Sequence, residues 1–213
     1  MTPRAVDVEA ERLAGWLQRF GERHGPTTWQ ASPDLVVVSA GDGARAECEV
    51  PFPPLAVDDT AEFGGLPDHV SRDRCVGVLL VRLGGHAAGI FSGADLLSSK
   101  VGSRLVHGRS AAGGQSQQRF ARRREGQVRV ALQDAASVAI RILLPAAADL
   151  DALVLGGDRS AVEKVLADTR LAPLRPLVTR RLLDVPDPRL RILKETPKLF
   201  RSVRIRVVDP PAD

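Results

Sequence analysis

Apolar positions along the chain alternate between two spacings, and the changes of spacing outline its elements. Leu13, Trp16, Leu17 and Phe20 recur at i, i+3, i+4 and i+7, which predicts an amphipathic helix over residues 9–24, stopped by Gly25-Pro26. The runs Leu35–Ala40 and Ala44–Val50 flank Gly41-Asp42-Gly43 and read as a hairpin. Pro51 to Asp68 is rich in Pro, Gly and Asp and reads as a linker or long loop. That stretch sets the expected boundary between a small N-terminal α+β module, residues 1–70, and a main domain, residues 71–213.

The main domain opens with two β-rich runs, Cys75–Leu83 and His86–Ser92, joined by Gly84-Gly85, and a third strand is expected over Lys100–Val106. A polar, Gly-rich loop follows from His107 to Gln115, then a long helix from about Ser116, its expected N-cap, to Leu143. Val128, Leu132, Ala135, Ala139 and Ile142 mark that helix's apolar stripe, and Pro145 lies just past its end. A strand at Ala152–Leu155, a Gly156-Gly157 turn and a helix capped by Asp158 come next. A strand near Leu177–Leu183, a helix near Pro188–Phe200 and a last strand at Val203–Val208 complete the chain. Hairpin strands first and crossovers afterwards imply an α/β domain, a mixed sheet with flanking helices. This succession of elements is the one found in ribonuclease H-like folds. No internal repeat is present.

Hydrophobic residues make up 44% of the 213, enough for a sizeable core, and with Tyr absent that core must come from Val, Leu, Ile and Ala. Cys48 and Cys75 have no metal-ligand or redox spacing and read as reduced thiols. The acidic N-terminus lacks an apolar secretory segment, and no apolar run approaches bilayer length, so a cytoplasmic protein without a membrane partner is expected. Net charge is only +4, but the segment Leu96–Arg124 holds seven basic residues (Lys100, Arg104, Arg109, Arg119, Arg122, Arg123, Arg124) and no acidic one. The rest of the chain therefore sums to −3. Such asymmetry is a footprint for a polyanion.

Within that segment runs HGRSAAGGQSQQRFARRRE, residues 107–125. His107-Gly108-Arg109, Gly113-Gly114-Gln115 and Arg119-Phe120-Ala121-Arg122 resemble, in order, parts of the middle domain of eukaryotic and archaeal class-I peptide-chain release factors. The run LVLGGDRSAVEKVL, residues 153–166, is similar to the strand, glycine turn and helix that follow there, so the resemblance covers roughly residues 75–200. Ser110-Ala111-Ala112 lengthens the loop, as in the related ribosome-rescue branch with its actinobacterial members, where the motif is Gly-x-x-Gln. Gly114-Gln115-Ser116-Gln117 satisfies that form too, so Gln115 and Gln117 compete for the catalytic place; the gap-free flank favours Gln115.

The resemblance implies a peptidyl-tRNA hydrolase, and the residue types suit that chemistry. The substrate is an activated ester, so the protein must orient one water rather than supply a nucleophile. A glutamine amide carries two donors and an acceptor and does not titrate, and backbone N–H groups can stabilise the developing charge. Gly113 and Gly114 permit backbone dihedrals closed to other residues. Arg119, Arg122 and Arg123 fall at i, i+3 and i+4 and, with Arg104, His107, Arg109 and Arg124, are expected to hold RNA phosphates, those of tRNA and of large-subunit rRNA.

Two other readings stand beside this one. Asp95, Asp151, Asp158 and Asp184 would serve a metal-dependent nuclease acting on the tRNA end if the fold gathered them. A non-catalytic rRNA-binding ribosome accessory protein would share the basic surface and give the glutamines no role. His24, His69, His86 and His107 show no ligand spacing, so no metal and no cofactor is expected, and a monomer is. Ahead of residues 75–200 lie only about 70 residues, without a decoding motif, which favours codon-independent rescue over termination at stop codons.

Overall fold

A computed structural model of the chain describes residues 4–82, 84–103 and 115–210, and the side chains of all of these except 115–123. The chain divides into two compact units, Met1–Arg72 with Pro197–Asp213, and Asp73–Thr196.

The first unit is a five-stranded antiparallel sheet in the order β1 (Arg4–Val8), β10 (Val203–Val208), β4 (Arg45–Glu49), β3 (Leu35–Ala40), β2 (Thr27–Ala31). Helix α1 (Leu13–His24) buries Leu13, Leu17 and Phe20, as its spacing requires. The β3–β4 turn is closed by the Ala44 N–H donating to Asp42 Oδ1 at 2.9 Å. Val36, Val38, Ala46, Cys48, Val203 and Ile205 are fully buried in this unit's core. The stretch expected as a linker is more ordered than its composition suggests: it holds a short 3-10 turn, Glu62–Gly65, and helix α2 (Leu66–Ser71), which buries Leu66 and Val70. Strands β1 and β2 were not foreseen.

The terminal strand corrects the expected division. It was read as the end of the main domain, yet β10 lies between β1 and β4 in the first sheet. Alternation explains the strand: Val203, Ile205 and Val207 face the core while Arg204 and Arg206 face out. Cross-strand charges match its place, with Arg204 paired to Asp7 at 3.1 Å on β1 and Arg206 to Glu47 at 2.8 Å on β4.

The second unit is a mixed sheet in the order β7 (Asp95–Ser103), β6 (Gly85–Ser92), β5 (Cys75–Arg82), β8 (Ala152–Gly157), β9 (Val178–Leu183). β5, β6 and β7 are antiparallel neighbours, while β8 and β9 run parallel to β5. Counted within the unit, the order is 3-2-1-4-5 with the second strand reversed, the ribonuclease H-like arrangement expected. Helix α3 (Gln115–Leu143) crosses from β7 to β8, and α4 (Arg159–Leu166) from β8 to β9. Ala135, Ala139 and Leu143 of α3 and Ala161, Val162 and Val165 of α4 share one core with Leu79, Val81, Leu153 and Leu155 of the sheet. Successive residues of a strand face opposite ways, so Gly89 points away from the face that Ala88 supplies to this core. There it meets Leu193 of α5 (Leu190–Phe200). Strand β7 starts five residues earlier than expected, and its expected end, residues 104–106, lies outside the described residues.

Candidate functional site

The parallel strands fix an edge at which connections gather. β5 ends at Arg82, β8 at Gly157 and β9 at Leu183, and β7 ends beside them because Ser103 pairs with Gly85. Open α/β sheets bind ligands at this carboxyl edge, where successive helices begin. The β8–α4 turn is tightly built: Gly157 has φ +97°, and a β-carbon on it would strike the Val81 carbonyl. The Asp158 N–H donates to that same carbonyl at 2.8 Å, and the Asp158 side chain caps α4 by accepting from the Ala161 N–H at 2.8 Å. Both the turn and the cap follow the expectation from Gly156-Gly157-Asp158.

Beneath the same edge, His86 on β6 is buried and pairs across the ladder with Gly102 on β7. A β-carbon at Gly102 would collide with the imidazole, so the ring needs a glycine opposite it two residues before Arg104. This pair was not picked out beforehand, although a glycine inside a strand is itself a signal of close approach. Arg82, at the end of β5, lies 3.7 Å from the Asp184 carboxylate beyond β9, and Arg82 Nε is buried without a hydrogen bond among the described residues.

Helix α3 runs back from this edge, and Leu143 near its end lies against Gly77 early in β5. Its 29 residues span about 43 Å at 1.5 Å each. Burial is confined to the far end: from Arg124 to Asp134 every residue is half-buried or exposed, and the buried positions start at Ala135. Gln115 is the first helical residue, one earlier than expected, so Ser116 stands in the first turn rather than at the N-cap. The first four N–H groups of a helix have no partner within it and carry the positive end of its dipole. Gln117, Arg119, Arg122 and Arg123 follow along this end of α3. Arg124 is half-buried between α3 and α4. Arg104, His107, Arg109, Gly113 and Gly114 lie outside the described residues.

Charge is divided between the units. Asp73–Thr196 holds 20 basic and 12 acidic residues, a net +8, against 10 and 14, a net −4, for the remainder. Leu96–Arg124 alone supplies seven of those eight units, so the excess of positive charge stays concentrated in that one segment.

The four carboxylates considered for metal chemistry do not meet. Asp95 and Asp151 lie at the amino edge, Asp95 paired with Ser92 and Asp151 accepting from the Cys75 N–H at 2.8 Å. Asp158 and Asp184 lie at the carboxyl edge, about 20 Å away at the rise of a strand. Among the described residues no three His, Cys, Asp or Glu side chains are grouped to hold a metal ion. Nor is any described helix long and apolar enough to cross a membrane.

Residues 74–206 match the family of the Actinobacteria/chloroflexi VLRF1 release factor. No curated protein sequence matches the chain. Among solved structures, an archaeal protein is 19% identical with a TM-score of 0.43, the match covering 74% of this chain and 48% of that one. The crystal structure of the archaeal translation termination factor aRF1 is 19% identical with a TM-score of 0.44, over 86% of this chain and 50% of that one. The chain thus spans about half the length of each.

Proposed function

Because the chain belongs to the Actinobacteria/chloroflexi VLRF1 release factor family, we propose that it hydrolyses the ester of peptidyl-tRNA and frees nascent chains from stalled ribosomes or large subunits without reading a codon. One observation carries the reading: Gln115 opens a long helix inside the matched span, directly after Gly113-Gly114. The first N–H groups of a helix have no partner within it and carry the positive end of its dipole, where an oxyanion or phosphate is stabilised. Gln115, or Gln117 one turn-half later, orients the attacking water through its amide. Arg104, His107, Arg109, Arg119, Arg122, Arg123 and Arg124 hold tRNA and large-subunit rRNA through phosphates. The protein acts as a cytoplasmic monomer, with the second unit as its catalytic domain. The four aspartates lie at two opposite edges of the second unit's sheet and so offer a nuclease at the tRNA end no single cluster of four.

The test follows both halves of the substrate. Protein is mixed with stalled ribosome or large-subunit complexes carrying labelled peptidyl-tRNA, and the products are resolved on a gel. Free peptide with intact tRNA is expected; a shortened tRNA indicates a nuclease, and no product an accessory binder. Gln115→Ala is expected to slow release about 100- to 1000-fold, the usual effect of losing one preorganised hydrogen-bonding group, with Gln117→Ala better tolerated. The opposite order assigns catalysis to Gln117. Undiminished release by the double variant would falsify the assignment to either glutamine.

A further inference from the structure

On one side of the second unit, the described residues of α3 and α4 line a shallow valley. Val128, Leu132 and Ala136 succeed one another at four-residue spacing on α3 and face Ala161 and Lys164 of α4 across about 970 Å³. The lined part of α3, from Arg124 to Ala136, is about 18 Å long, three turns of helix. Two ridges flanking an aliphatic floor are the seat into which a third helix packs.

The charges on the rim specify the partner. Asp158 is committed to capping α4, and Asp168 to Arg170 at 2.7 Å. Arg124, Arg129 and Lys164 have no hydrogen bond or ion pair among the described residues, and Glu125 is the remaining carboxylate of the rim. The uncommitted charge is therefore two units positive. RNA suits the site poorly, because among the described residues no aromatic side chain lines it for bases to stack on and Glu125 stands uncommitted on its rim. We infer that this valley docks an amphipathic helix of a partner protein, about three turns long, with Leu- or Val-type side chains on its buried face and Asp or Glu along its flanks. This docking uses neither glutamine of the hydrolase reading and shares only Arg124 with its RNA contacts.

Two fluorescein-labelled helical peptides provide the probe, both with Leu at i, i+3 and i+7, one flanked by Glu and the other by Lys. Fluorescence anisotropy with the full chain is expected to show binding of the Glu peptide in preference to the Lys peptide. Arg129→Glu with Lys164→Glu, both exposed positions, should weaken the Glu peptide on the order of tenfold and reverse the preference. Leu132→Arg should abolish binding of both, with circular dichroism confirming that the variant is folded. The charge swap leaves the apolar floor intact, so it decides the matter even where Leu132→Arg perturbs packing. No binding by either peptide, or equal affinity for both, overturns the inference. So does displacement of the Glu peptide by an oligouridine, which makes RNA the occupant, or self-association lost in Leu132→Arg, which makes it a second copy.

Discussion

Asp168 shows how much one residue can settle locally. It ends α4's connection by accepting from the Arg170 backbone N–H at 3.0 Å, while the Arg170 guanidinium grips it at 2.7 and 3.0 Å. The side-chain hydrogen bonds from Arg170, then the backbone one, hold its carboxyl well below the ordinary range, at about 2. The sign of the linkage follows. A carboxylate whose folded value is depressed contributes stability above its ordinary range, and that contribution is lost as pH falls from about 4 to about 2. The carboxylate is half-buried in a single ion pair with an exposed arginine, so its value is a local titration rather than a determinant of acid unfolding. Side-chain carboxyl NMR should give a midpoint of about 2, rising towards the ordinary 3.8 in Arg170→Ala. An unmoved midpoint in that variant would mean that the guanidinium does not hold the carboxylate in solution. Gly102 and Gly157 act at the same scale by leaving room, one for the His86 ring and the other for the Val81 carbonyl.

At the scale of elements, α3 is divided along its length. Its far end carries Ala135, Ala139 and Leu143 into the core, where small side chains let helix and sheet approach closely. Its near end holds Arg119, Arg122, Arg123 and Arg124 and buries none of its described side chains. Replacing Arg122, Arg123 and Arg124 together by Ala should weaken large-subunit binding and lower the slope of log affinity against log salt by about 2 to 3, one released counterion for each lost phosphate contact. Co-sedimentation across a salt series that is unchanged by the triple variant would remove this helix end from the RNA interface. Much of this division is legible in the sequence, because spacing of apolar residues reports burial and a run of one charge marks an end that stays out of the core. The strands of the second unit were legible for a similar reason, being apolar runs bounded by glycines. β1 and β2 were not, since RAVDV and TTWQA are short, half-exposed edges without an unbroken apolar face. α2 was hidden by the composition around it, for Leu66 and Val70 are its only apolar anchors in a Pro-, Gly- and Asp-rich stretch. The candidate site rests on a motif rather than on spacing: nothing in residue spacing alone separates Gln115 from Gln117.

At the scale of the whole molecule, the chain leaves the first unit at Arg72 and returns to it at Pro197, so the basic unit is an insertion within the acidic one. Alternation in Val203–Val208 identifies a strand but not its neighbours; those meet its outward arginines with Asp7 and Glu47, nearly 200 and 160 positions earlier. The consequence is testable through a buried thiol. Cys48 lies on β4 beside β10, and burial pushes its pKa up to about 12, so it stays protonated and shielded from alkylating reagents at neutral pH. In a Cys75→Ser background it is the single thiol. Deleting residues 203–213 removes the strand that β1 pairs with and takes Val203, Ile205 and Val207 from the core. Maleimide labelling of Cys48 should then rise from negligible to the rate of an unfolded chain, because a five-stranded sheet that loses an interior strand keeps no closed core. Amide exchange should remain slow from Ala135 to Leu143, whose packing lies wholly in the second unit. A truncated chain whose Cys48 stays inert would show that β10 is dispensable to the first unit. Loss of protection in α3 would show instead that the two units fold as one cooperative block, and that the insertion depends on the sheet that frames it.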